Sequence, residues 1–104
     1  MEVASRQQVH TGKASILTNI AGDTVEEYGV EIMRVYPAGS EDTRDLMIKV
    51  TDPVLLAATG GIVQGMSGSP VLQDGKVVGA VTHVLVNDPT RGYGILMERM
   101  LEMA

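Results

Sequence analysis

Cysteine, phenylalanine and tryptophan are all missing from these 104 residues, and only three tyrosines are present. Without cysteine there is no disulfide framework, no thiolate metal site and no cysteine nucleophile. The absence fixes no compartment, since reducing and oxidising spaces both tolerate it. Positive charge is also scarce: eight Lys and Arg face thirteen Asp and Glu, for a formal charge of −5. The basic residues are scattered and form no stripe, which argues against nucleic acid as the main partner. So few aromatic rings leave no stacking platform for single strands. No apolar run approaches the roughly 18 residues that a membrane-spanning helix needs. The opening Met1-Glu2-Val3-Ala4-Ser5 lacks the basic start and apolar stretch of a signal peptide. Any export signal is therefore expected upstream of this chain.

What is present suffices for one domain over residues 1–104. Hydrophobic residues make up 44% and charged residues 20%, a balance that closes a core rather than one that stays disordered. That core must be built from Val, Ile, Leu, Met and Ala. Their spacing has mostly a period of two, the pattern of half-buried strands.

Ala14, Ile16 and Ile20 alternate with Ser15 and Asn19, and a turn is expected at 21–24. A second extended run covers 25–36, with Tyr28, Val30, Ile32 and Arg34 assigned to one face. A polar loop at 37–42 ends it. In a third strand over 44–51, Leu46, Ile48 and Val50 oppose Asp45, Met47 and Lys49. Asp52 before Pro53, with Gly60 and Gly61 behind, spells a short helix near 53–58. Strands follow at 70–72 and 77–86, joined by a hairpin turn whose Asp74-Gly75 pair supplies positive dihedrals. The segment 87–90 reads as a turn, 92–96 as a last strand, and 97–103 as a short helix with Met97, Met100 and Leu101 on one side. About six strands in succession joined by tight turns predict an all-β, six-stranded antiparallel barrel.

The most unusual stretch runs Gly60-Gly61-Ile62-Val63-Gln64-Gly65-Met66-Ser67-Gly68-Ser69-Pro70. Glycine weakens strand pairing, so so many glycines would be out of place in a plain strand. They fit a tight loop that presents the Ser67 hydroxyl while aiming the N–H groups of Gly65 and Ser67 into the same pocket. Acyl transfer needs that combination of a nucleophile and donors for the developing oxyanion. A Gly-rich hairpin loop without chemistry is the other reading. A phosphate loop is excluded because no Lys follows the glycines, and the hydrolase elbow because position 69 is Ser.

The hexapeptide Gly65-Met66-Ser67-Gly68-Ser69-Pro70, a strand, an Asp-Gly turn and then Gly79-Ala80-Val81-Thr82-His83 resemble the second barrel of chymotrypsin-like serine peptidases. Thr51-Asp52-Pro53, the run from Thr59 to Pro70, Gly79 to Val84, Val86-Asn87-Asp88-Pro89 and Gly92-Tyr93-Gly94 resemble, more specifically, the SpoIVB peptidase family of sporulation serine peptidases. The resemblance extends from about Ala14 to Leu101. It implies an exported or membrane-anchored endopeptidase with a PDZ domain upstream, acting in the space between the membranes around a forespore. Its substrate would be a protein or peptide, in the family a regulatory membrane protein that restrains an intramembrane protease. The family nucleophile falls on Ser67 and its acid partner on Asp52. The general-base His belongs to a Gly-His motif in the N-terminal half of the peptidase domain, and no such motif exists here. The chain alone is accordingly expected to be inactive, because a serine hydroxyl needs an adjacent base.

Of the two histidines, His10 precedes the first strand and reads as a partly exposed side chain. Alternation puts His83 on the side of Val81 and Leu85, as a core histidine or as one behind the catalytic groups. Asp52 keeps a second reading as a plain helix N-cap. No His, Asp or Glu set has metal-ligand spacing, so neither metal nor cofactor is expected. A half-barrel parted from its partner would expose apolar surface, which favours a homodimer.

Overall fold

The computed structural model describes residues 2–19, 25–36, 44–61, 68–85 and 87–103. Six strands close into an antiparallel ring: β1 (Gly12–Thr18), β2 (Glu26–Val35), β3 (Leu46–Val50), β4 (Pro70–Gln73), β5 (Lys76–Leu85) and β6 (Asp88–Leu96). Their order around the barrel is β1-β2-β3-β6-β5-β4. Two short helices, α1 (Pro53–Thr59) and α2 (Met97–Met103), complete it. The expected six-stranded barrel is what the chain forms. The turn expected at 21–24 and the loop at 37–42 lie outside the described residues.

Alternation fills the barrel as the pattern requires. Ile16, Tyr28, Val30, Ile32, Leu46, Ile48, Val50, Val71, Val78, Val81 and Leu96 are all buried and pack into one core with Leu55 of α1. Each such aliphatic side chain contributes about 1.5–3 kcal/mol by leaving water.

Three expectations are corrected. Arg34, grouped on one face with Tyr28, Val30 and Ile32, is exposed where those three are buried, because the β2–β3 register shifts between Ile32 and Arg34. A bulge adds one residue and reverses the facing beyond it. His83 is exposed instead of sharing the face of Val81, because the β5–β6 register shifts between Val81 and His83. The turn expected at 87–90 is already strand from Asp88, which pairs with Leu85. Asp88 still organises this corner, accepting hydrogen bonds from the Thr90 N–H and hydroxyl.

Two further residues depart from the pattern. Asp45 is fully buried although alternation set it outside. In α2, Met100 and Leu101 are exposed at 37% and 62%, so that helix is held by other means than the side they share.

The segment before β1 is anchored rather than loose. Val3 bridges Val77 in parallel, and Ala4 and Val9 are buried. The buried Gln73 amide clasps this segment, its Oε1 accepting from His10 N–H and its Nε2 donating to the His10 and Lys13 carbonyls. The ring itself closes where Ser15 meets Leu72 and Ile16 meets Val71.

Candidate active site

α1 begins where the sequence places its cap. Asp52 Oδ1 accepts from the N–H groups of Val54 (2.9 Å) and Leu55 (3.3 Å), two of the donors that a helix start leaves unsatisfied. Pro53 opens the helix, and Gly60 closes it in the left-handed region at φ 75°, its N–H donating to the Leu56 carbonyl. Asp52 Oδ2 faces β2 and accepts from the Gly29 N–H at 3.1 Å. The Gly29 carbonyl in turn accepts from the N–H groups of Thr51 and Asp52. Both carboxylate oxygens are thus bound by backbone, one to the helix and one to the barrel. Sequence reasoning missed Gly29; a glycine inside an otherwise extended run is the signal that marks such a close approach.

These N–H groups, Gly29's first, hold the Asp52 carboxyl below its ordinary range, against the opposing effect of burial. A folded-state pKa below the unfolded one stabilises fully above about pH 4 and less as pH falls through the folded value. Asp52→Ala is therefore expected to lower the melting temperature by several degrees near pH 7. The gap from wild type should begin to narrow as the pH falls below about 4 and go on narrowing through the lower folded-state value, as the carboxyl takes up its proton. A gap that stays constant from neutral to acid pH would contradict the assignment.

The Gly-rich run leaves α1 through Gly61. That residue sits at φ 139°, and a Cβ there would lie 2.3 Å from the Pro89 carbonyl oxygen. Only glycine lets the chain press against the start of β6 at this point. On the far side, Gly68 N–H donates to the Val81 carbonyl (2.7 Å) and Val81 N–H to the Ser69 carbonyl (2.9 Å). The run therefore passes close against β6 at one end and is hydrogen-bonded to β5 at the other, neighbouring strands of the ring. Residues 62–67, with Gly65 and the Ser67 hydroxyl, lie outside the described residues.

The two histidines are far apart in role. His83 follows Val81 by two residues along β5, is exposed, and has its Nδ1 3.0 Å from the Thr82 hydroxyl. Thr82 donates to the Tyr93 carbonyl. His10 Nε2 lies 2.9 Å from Asp74 Oδ2 and Nδ1 2.9 Å from the Thr11 carbonyl oxygen. With an acceptor at each ring nitrogen, the Asp74 hydrogen bond foremost, its pKa is raised. His10 is thus an anchor on the β4–β5 turn. Among the described residues no helix is long and apolar enough to cross a membrane.

Neither the curated proteins nor the solved structures contain a match to the chain. One family model does match, SpoIVB peptidase S55, over residues 1–101. That span takes in the capped helix, both anchored ends of the Gly-rich run and all six strands of the barrel. The chain belongs to the SpoIVB peptidase family.

Proposed function

We propose that this barrel is the second, C-terminal barrel of a serine endopeptidase domain and that Ser67 is its nucleophile. The family match over nearly the whole chain carries the reading. The close approach of Gly61 to β6 and the hydrogen bonding of Gly68 to β5 support it, because a nucleophile loop must be held in place where it enters and leaves. In the reaction the Ser67 hydroxyl adds to the scissile carbonyl carbon and gives its proton to an imidazole. The N–H groups of Gly65 and Ser67 stabilise the oxyanion. Collapse breaks the C–N bond, the imidazolium protonates the leaving amine, and water then hydrolyses the acyl-enzyme.

In this reading the imidazole comes from outside these residues: His10 is held by Asp74 on the β4–β5 turn, His83 is turned out of the barrel, and neither follows a glycine as the family's base does. Asp52 orients that imidazole while keeping its place as the cap of α1. The substrate is a protein or peptide, and no cofactor is required. In this reading the domain works outside the cytoplasm, between the membranes around a forespore, in a protein that also supplies the N-terminal half and a PDZ domain.

A non-catalytic module that binds peptides or self-associates is the second reading. On its side stand the full occupation of both Asp52 oxygens by backbone N–H groups and the exposed Val25, Val54 and Leu101. One experiment separates the two. The chain is combined with the upstream half of the domain and treated with a fluorophosphonate, as wild type and as Ser67→Ala. Labelling and peptide cleavage are expected only in the wild-type pair, with cleavage in Ser67→Ala falling by about 10⁴-fold or more. A folded pair that takes no label leaves the binding module standing.

A further inference from the structure

The two ends of the Gly-rich run meet the barrel in different ways. Where the run leaves, Gly68 and Ser69 share two backbone hydrogen bonds with Val81 of β5. Where it enters, the buried Gly61 lies against the peptide group that joins Pro89 to Thr90 in β6. A Cβ on Gly61 would come within 2.3 Å of the Pro89 carbonyl oxygen, 2.6 Å of its carbon and 2.9 Å of the Thr90 nitrogen. All three heavy atoms of that group therefore border Gly61, and the way the group is turned decides where the run can start. Asp88 controls that turn. Its Oδ1 accepts from the Thr90 N–H at 3.2 Å and from the Thr90 hydroxyl, and its Oδ2 lies 3.3 Å from Arg91 Nε. Pro89 stiffens the corner, since its ring fixes φ and confines the residue before it to extended backbone. The Thr90 hydroxyl above all, followed by the Thr90 N–H, holds the Asp88 carboxyl below its ordinary range against the effect of burial. The acceptor is thus a full carboxylate at neutral pH.

We propose that Asp88 is a positioning residue: by fixing the Pro89–Thr90 peptide group it sets the entrance of the run that carries Ser67. The inference rests on the reading of Ser67 as the nucleophile. Asp88 acts through backbone, by way of Thr90 and Gly61, and not on the reacting atoms. The β5–β6 hairpin is already closed by its backbone register, from Gly79 and Leu96 to Leu85 and Asp88. The bonds from the carboxylate to Thr90 come in addition, and they act on the surface that Gly61 meets. Acyl transfer is sensitive to such placement, because an error of about 1 Å at the reacting atoms costs on the order of 10²-fold in rate.

The test compares Asp88→Ala with Asp88→Asn, which keeps an oxygen for the Thr90 N–H, and with Arg91→Gln, which removes the ion pair but not the Thr90 bonds. Unfolding midpoints confirm that each variant folds. In the full chain, amide hydrogen exchange is followed residue by residue by NMR. Asp88→Ala is expected to speed exchange over residues 61–67 about tenfold or more while Gly29 and Leu55 keep their rates, and the other two variants should exchange as wild type. The chain is then combined with the upstream half of the domain. There Asp88→Ala should lower kcat and the rate of fluorophosphonate labelling by about 10- to 100-fold with KM nearly unchanged, and Asp88→Asn should restore most of both. The proposal is overturned if Asp88→Ala leaves exchange over 61–67 at the wild-type rate, or if its folded pair keeps the wild-type kcat. It is equally overturned if Asp88→Asn or Arg91→Gln is impaired as much as Asp88→Ala. A wild-type pair that takes no label is a separate failure, that of Ser67 as nucleophile, and the exchange rates of the chain alone then decide whether Asp88 sets the run.

Discussion

Asp45→Ala is expected to cost about 3–5 kcal/mol of folding stability, the usual result of removing one member of a buried ion pair. Asp45 is fully buried, and its Oδ1 lies 2.7 Å from Arg99 Nη2, which is itself only 17% exposed. Its Oδ2 accepts from the Leu96 N–H at 2.9 Å, immediately before α2. Its own N–H donates to the Gly94 carbonyl, and its carbonyl accepts from the Tyr36 N–H. One residue thus ties the end of β2, the start of β3, β6 and α2 together. A helix of seven residues does not hold itself in water, and with Met100 and Leu101 exposed it depends on this tie. Alanine would leave the Arg99 guanidinium without its anion in a low-dielectric site. Asp45→Asn, which keeps an acceptor for Leu96, should lose less. Replacing both Asp45 and Arg99 by leucine should recover part of the loss, because no charge is then left unpaired. Urea unfolding of the set decides the matter, and an Asp45→Ala midpoint equal to wild type would refute the assignment.

Gly79→Ala should be at least as damaging as an ordinary overpacked core substitution, at more than about 3 kcal/mol. A Cβ at Gly79 would lie 2.0 Å from the Ile95 carbonyl oxygen and 2.9 Å from its carbon. Both atoms are backbone, so no side chain can swing aside. Gly79 also pairs with Leu96, next to the Asp45 tie, and any shift there separates β5 from β6. Gly29→Ala is the control, since its Cβ would meet the Thr51 hydroxyl at an ordinary 3.5 Å. That variant keeps the N–H that Asp52 needs and should lose far less. Thermal unfolding that ranks Gly29→Ala as the worse of the two would show that the β5–β6 approach does not set the stability.

What the amino-acid pattern reveals and what it hides divides along physical lines. β3 reads correctly because Leu46, Ile48 and Val50 alternate without interruption, and α1 because its cap, its proline and its closing glycine are all local. Arg34 and His83 escape prediction because a bulge depends on the partner strand, and period-two counting carries straight through it. Asp45 escapes because the groups that justify its burial, Leu96 N–H and Arg99, are distant in sequence. At the candidate site the Asp52 cap is legible from Asp-Pro alone, while the Gly29 donor needs the barrel to bring β2 against α1. Ser67 and Gly65 draw their candidacy from the motif and the family, with Gly61 and Gly68 as the fixed points on either side.

The placement of the tyrosines also determines what light can report about this molecule. With no tryptophan, ultraviolet emission comes from three tyrosines alone, and only Tyr28 is in the core. Tyr36 and Tyr93 lie against each other and against arginines on the outside. The aliphatic interior is optically silent, so loss of the core would register chiefly through Tyr28, while Tyr36 and Tyr93 report on the outer face of the barrel.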